Sequence, residues 1–148
     1  MILRSIAVSD KKGIVKTPVQ GRVNVTEKGL EGDAHAGLPQ KNITILTTET
    51  IRRLERERNI TIDPGISSEN LIIEGLSVDE APPGTILGIG KSVRLVITGL
   101  GKPDVVTCPA YPLIGCCPVA EEGLFADVLV PGSIAVGDNV VLISPDEE

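Results

Sequence analysis

The chain has 148 residues, the length of one domain, with 14 Lys and Arg against 20 Asp and Glu and a formal net charge of −6. Val, Ile and Leu dominate an apolar fraction of 41%, and Tyr111 and Phe125 are the whole aromatic complement. Two rings cannot build the stacking platforms of single-strand binders, and the acidic balance argues against the phosphate backbone of a nucleic acid as the main ligand.

Gly and Pro punctuate the chain densely, and branched aliphatic runs lie between them. These runs predict strands near Ile2–Val8, 21–25, 42–46, 70–73, 85–87, 93–98, 125–130 and 139–143. Residues 93–98, Val-Arg-Leu-Val-Ile-Thr, mix alternation with an apolar run, as a half-buried barrel strand does. One helix is expected from Thr48 to about Asn59, capped by Thr47 or Thr48, with Ile51 and Leu54 on its apolar side. Glu49 with Arg53, and Arg53 with Glu57, form i,i+4 pairs on its wet face, so the run Arg52–Arg58 reads as a solvated surface rather than an anion site. Many short strands and one helix predict an all-β fold, a closed or nearly closed β-barrel with one or two short helices, over residues 1–144. Residues 145–148 read as an acidic tail.

No apolar stretch reaches the roughly 18 residues of a spanning helix, and no apolar leader follows a basic start, which predicts a cytoplasmic protein without membrane contact. Cys108, Cys116 and Cys117 cluster within ten positions in a Pro-rich stretch. An odd number with two adjacent members reads as thiols of a reducing compartment rather than as staples. Lys102 nearby would favour a thiolate; packing of small apolar Cys side chains in the core is the alternative. The spacing C-x7-C-C with a distant His35 does not match a zinc site, so no metal ligand set is assigned.

Two further stretches carry candidate chemistry. Ser9-Asp10-Lys11-Lys12-Gly13-Ile14-Val15-Lys16 is a basic turn that either holds an anion or is an ordinary solvated turn. In Gly29-Leu30-Glu31-Gly32-Asp33-Ala34-His35-Ala36-Gly37 the glycines imply bent backbone or close approach of a ligand. Asp33 stands two residues before the single histidine and can orient its imidazole; a structural hydrogen-bonding role for His35 is the alternative.

With these residues in view, the chain resembles the MOSC domain, the module at the C-terminus of molybdenum cofactor sulfurases, in its short stand-alone form. The resemblance runs from Ser9 to about Leu142. It rests on the two stretches above, Ile43-Thr44-Ile45-Leu46, Ser68-Glu69-Asn70-Leu71, Gly84-Thr85-Ile86-Leu87, Thr98-Gly99-Leu100-Gly101-Lys102, Cys108, Gly115, Cys117, Glu122-Gly123-Leu124-Phe125-Ala126 and Gly137-Asp138 in that order. Asp104 and Val105 stand where short members often carry Cys and His. Gln40, Lys41 and Asn42 stand where many carry His-Arg-Gln.

The resemblance implies a β-barrel similar to that of pyruvate kinase and a role with the anionic molybdenum cofactor (molybdopterin). It also implies sulfurtransferase-type chemistry, with sulfane sulfur carried as a cysteine persulfide. A carrier or regulatory module that binds the cofactor without chemistry is the alternative. The implied partners are a sulfur donor such as a cysteine desulfurase, of the pyridoxal phosphate-associated sulfurase family, and a molybdoenzyme or cofactor-synthesis acceptor. On that reading Cys108, then Cys117, carries sulfur, with Cys116 as a resolving thiol, and Asp33 orients His35. Lys12, Lys16, Lys41 and Lys102, the backbone N–H groups of Gly32 and Gly37, and Glu69 with Asn70 hold the cofactor.

Overall fold

The structure, a computed structural model, describes residues 1–102 and 108–143. The expected tail 145–148 and the substituted positions Asp104 and Val105 lie outside the described residues. In chain order the elements are β1 (Ile2–Val8), β2 (Thr17–Pro18), β3 (Val23–Thr26), β4 (Gly29–Leu30), β5 (Ile43–Thr47), α1 (Thr48–Arg58), β6 (Leu71–Glu74), a 3-10 turn (Val78–Glu80) and β7 (Ile86–Ile89). They continue with β8 (Val93–Leu100), α2 (Tyr111–Ile114), α3 (Pro118–Glu122), β9 (Leu124–Val130), β10 (Gly132–Ile134) and β11 (Val140–Ile143).

Eight strands form one sheet in the order β11-β7-β8-β9-β5-β6-β1-β2, and β10-β3-β4 form a second. All pairs are antiparallel except β5 with β6, where α1 makes the crossover that a parallel pair requires. The ends of the large sheet approach each other. Residues Ile2 and Asn139 form a bridge, Val140 N–H donates to the Met1 carbonyl (2.9 Å), and Leu3 N–H donates to that of Asp138 (2.9 Å). No continuous ladder closes the ring among the described residues, so the closed barrel of the sequence reading becomes a mostly-β fold whose sheet ends meet at one bridge.

Side-chain alternation places an apolar cluster on each side of the sheet. The first holds Leu3, Ile6, Ile43, Ile45, Leu95, Ile97 and Leu124, all essentially inaccessible to solvent. The second holds Leu46, Leu54, Ile72, Val119 and Phe125 under α1 and α3. Strand β5 is therefore covered on both faces, which explains its unbroken run Ile-Thr-Ile-Leu-Thr. The Thr47 side chain caps α1 by accepting the Thr50 N–H at 3.1 Å, and Asn59 ends the helix in the left-handed region (φ 52°). Its arginines face carboxylates, as a solvated face should: Arg53 pairs with Glu57 and Glu122, Arg58 with Glu121 and Arg52 with Glu74. Among the described residues no helix is long and apolar enough to cross a membrane.

Candidate functional site

The end of β1, the starts of β5, β6 and β9, and the end of β8 converge on the sheet face of the second cluster. A cavity of about 360 Å³ lies there. Its floor is the pair Thr44 and Phe125, directly opposite each other on β5 and β9. The rim carries Lys12, His35, Lys41 and Lys102, and the inner wall carries Ser67 and Ser68. In a chain of net charge −6, no Asp or Glu is among the described lining residues.

Each cation is placed by identifiable bonds. Lys41 sits on a loop braced by Asp127 of β9, whose carboxylate accepts the Gln40 N–H (3.1 Å) and the Asn42 N–H (3.4 Å). The Lys41 ammonium lies 5.1 Å from the Phe125 ring centre, within cation–π range. Lys102 is held beside α3 through its N–H to the Ala120 carbonyl (3.1 Å). Lys12 belongs to the basic turn, where the Ser9 hydroxyl donates to the Lys11 carbonyl (2.8 Å).

Lys16 does not join them. Its ammonium is fully enclosed, 2.8 Å from Asp33 Oδ1, and donates to Ser9 Oγ at 2.9 Å. Expected as a cofactor-binding cation, Lys16 is instead one half of a buried ion pair, because Asp33 and Ser9 are the partners its position offers. Burial alone would raise the Asp33 carboxyl. The Lys16 hydrogen bond and the N–H groups of Ser9 (3.1 Å) and His35 (3.0 Å) outweigh it and hold the carboxyl below its ordinary value. Asp33 therefore positions His35 through the backbone rather than the ring, since His35 Nδ1 stands 3.9 Å from Oδ2, beyond hydrogen-bond reach. Burial, with the Lys16 charge behind it, pushes the imidazole below its ordinary value against the pull of Asp33 and Asn70, which leaves the ring neutral at neutral pH.

Glu69 and Asn70, expected on the cofactor, lie behind the wall, each about 1% exposed. The Glu69 carboxylate accepts the N–H groups of Gly65 (2.5 Å) and Ser67 (3.1 Å), and burial pushes its value up to about 7. Asn70 ties β1 to β5, accepting the Thr44 N–H (2.9 Å) and donating to the Ala7 carbonyl (3.1 Å). Both support the loop that presents Ser67 and Ser68. Gly65 in that loop has φ +87°, and a Cβ there would overlap the Lys16 carbonyl oxygen, so this close approach requires glycine. The Gly37 N–H is committed to the Lys28 carbonyl (2.7 Å), and neither Gly32 nor Gly37 reaches the cavity, so the expected backbone donors are replaced by side chains.

Among the described residues, three buried side-chain polar atoms have no hydrogen-bond partner: His35 Nδ1, Ser67 Oγ and Ser68 Oγ. All three residues line the cavity. Unpaired buried polar groups are costly unless something else satisfies them, and here they stand beside three lysines. Cations, neutral donors and one ring face suit a small anionic ligand with a polar, planar part. Ser67 carries no signal in the sequence, while Ser68 and Phe125 lie in stretches on which the resemblance rests but have no binding role assigned there.

The cysteines depart from expectation. Cys108 and Cys117 are joined as a disulfide, with Cα atoms 6.1 Å apart, and only Cys116 is free. All three are buried, as in the core-packing alternative rather than as a thiolate beside Lys102: the pair belongs to the second apolar cluster, of which Val119 and Phe125 also line the cavity. Cys117 also caps α3, its sulfur accepting the Ala120 N–H at 3.4 Å. No group of three His, Cys, Asp or Glu residues among those described is placed to hold a metal ion.

Comparisons with known proteins agree with this architecture. The MOSC domain family matches residues 32–141. The crystal structure of YiiM from Geobacillus stearothermophilus is similar over 96% of this chain and 75% of its own, with 25% identity and a TM-score of 0.71. YuaD from Bacillus subtilis aligns over 95% of this chain and 94% of its own at 16% identity with a TM-score of 0.77. YiiM from Escherichia coli aligns over 97% and 70% at 21% identity with a TM-score of 0.70. No curated protein matches the chain.

Proposed function

The chain belongs to the MOSC domain family, a molybdenum-cofactor-related family, and from that premise we propose that it binds the anionic pterin cofactor in the lysine-rimmed cavity and carries sulfane sulfur on Cys108. The observation that carries the reading is the lining itself: Lys12, Lys41 and Lys102 beside three unpartnered polar atoms, with no described carboxylate. The residues fit the group. The lysines answer a phosphate, while Ser67, Ser68 and the neutral His35 answer the polar edge of a pterin. The face of Phe125, with Lys41 over it, gives a planar ring a surface to lie on. About 360 Å³ lies at the lower end of the range for small-molecule sites. When bound, the cofactor supplies a molybdenum centre held by a dithiolene.

The chain's own residues divide the work. Lys12, Lys41 and Lys102 bind, His35 and the two serines orient, and the Lys16–Asp33 pair keeps the His35 loop in place. Sulfur enters from a donor such as a cysteine desulfurase and leaves to a molybdoenzyme or cofactor-synthesis protein. A second reading, a carrier that binds the cofactor without chemistry, is favoured by the burial and pairing of Cys108 and Cys117.

One experiment separates them: purify the chain from cells that make the cofactor, then measure fluorescent oxidised pterin and cyanide-labile sulfane sulfur. Both together support the sulfur carrier, and pterin without sulfur supports the plain carrier. Pterin content should fall at least tenfold in Lys12→Glu/Lys41→Glu. A wild-type chain free of pterin, or a double variant that retains it in full, overturns the cavity as the site.

A further inference from the structure

Two residues belong at once to the cavity wall and to the apolar cluster that encloses the sulfur pair: Val119 and Phe125. Pro109, next to Cys108, lines the same wall. The pair therefore shares an apolar cluster with two residues of the cavity lining, and Cys108 is followed directly in sequence by a third. Cys116 is set apart from it. That thiol is absent from the cluster, its charged surroundings are Arg58 and Glu121, and burial pushes it above the ordinary thiol value. The resemblance implies Cys116 as the resolving thiol, but the bonding partner of Cys108 is Cys117.

We propose that Cys117 is the resolving residue for sulfur carried on Cys108, and that the Cys108–Cys117 disulfide is the discharged state of the carrier. This rests on the sulfur-carrier reading above and deepens it. In the loaded state Cys108 Sγ bears the sulfane sulfur and Cys117 is a thiol. The Cys117 thiolate attacks Cys108 Sγ, the inner atom of the persulfide. The Sγ–Sγ bond forms, the bond to the outer sulfur breaks, and the outer sulfur leaves with the electron pair. It takes up the thiol proton and departs as hydrosulfide beside the cavity. The sulfane sulfur gains two electrons and the two cysteine sulfurs lose two, so discharge consumes no external oxidant. An external dithiol, itself converted to a disulfide, returns the pair to the reduced form, and only that form accepts sulfur again. Delivery and reloading are thus mutually exclusive states of one short segment, residues 108–117.

The test uses the full chain, reduced, freed of reductant, loaded with an organic persulfide as sulfane donor and desalted. Wild type should release close to one sulfide per chain without added thiol and gain a Cys108–Cys117 cross-link in peptide mass spectrometry. Cys117→Ser should hold a sulfur adduct of +32 Da on Cys108, with release slowed at least tenfold. Cys116→Ser should discharge as wild type does. Release from Cys117→Ser at the wild-type rate, or a wild-type cross-link through Cys116, overturns the assignment. So does a wild-type persulfide that persists, a result that needs no variant to fold. If neither wild type nor Cys117→Ser takes up sulfur on Cys108, the sulfur-carrier reading itself fails, an outcome distinct from loading without discharge.

Discussion

Replacing Lys16 by Met tests the buried ion pair most directly. Met keeps much of the length and apolar character of the lysine stem but removes the ammonium that lies 2.8 Å from Asp33. Asp33 then keeps two backbone donors, from Ser9 and His35, and loses the charge that balances it. Breaking a buried pair in this way costs about 3–5 kcal/mol. Domains have about 5–15 kcal/mol in total, so the loss is a large fraction. At about 2–4 °C per kcal/mol for a chain of this size, the melting temperature falls by about 6–20 °C.

The pH dependence supplies the control. In wild type the lowered Asp33 carboxyl contributes stability at pH values above its unfolded value, and that contribution is lost as pH falls through the folded one. Without Lys16, burial dominates and the carboxyl rises, so the variant's deficit is largest near pH 7 and narrows toward pH 4. Lys16→Met/Asp33→Asn, which leaves no uncompensated charge, should recover part of the loss; the remainder, about 1–3 kcal/mol, is the cost of turning an amide NH2 toward one of the Ser9 and His35 N–H groups. Urea unfolding followed by circular dichroism is the assay, because the chain has no Trp. A deficit below about 1 kcal/mol at pH 7, or one that does not shrink in acid, would refute the reasoning.

Glu69 gives the opposite slope. With its folded value at about 7 against an ordinary 4.5, its contribution is full below the ordinary value and is lost as pH rises through about 7, about 3 kcal/mol over that window. Glu69→Gln should flatten this slope between pH 5 and 8 in calorimetric melting. It should also lower stability by about 1–3 kcal/mol, since one of the Gly65 and Ser67 donors then meets an amide NH2; an unchanged slope would count against it. Ser68 occupies the left-handed region at φ 63°, so Ser68→Gly should stabilise the chain by about 0.5–1 kcal/mol while reducing pterin retention. A less stable variant would show that the hydroxyl has a structural partner after all.

The longer strands and α1 were legible because their signals are local. Branched aliphatic runs mark β1, β5, β8 and β9, and a threonine cap with Ile51 and Leu54 marks the helix. Strands β2, β4 and β10 are two or three residues long and exist only through partners distant in sequence, as β10 does with β3. The short α2 and α3 begin at or beside prolines, in a stretch read as loop. Of the residues that line the cavity, Lys12, His35 and Lys102 were visible in one dimension as charge or imidazole near glycine turns, and Lys41 only through the resemblance. That Lys16 points inward was not, because only the fold brings it to Asp33. The partner of Cys108 was equally out of reach, since three cysteines allow several pairings and spacing does not choose among them.

The Gly65 contact ties separate loops into one body. Lys16 donates its N–H to the Gly65 carbonyl (2.9 Å) and its ammonium to Asp33, while the Ala34 N–H donates to the Ser9 carbonyl (2.7 Å). The segments bearing Lys12, His35 and Ser67 are stitched together beneath the rim. A molecule that immobilises one of them has already removed part of the freedom of the other two. Affinity losses from single substitutions at these three positions should therefore fail to sum, and the coupling energy of a double-mutant cycle becomes a measure of how tightly the seam is sewn.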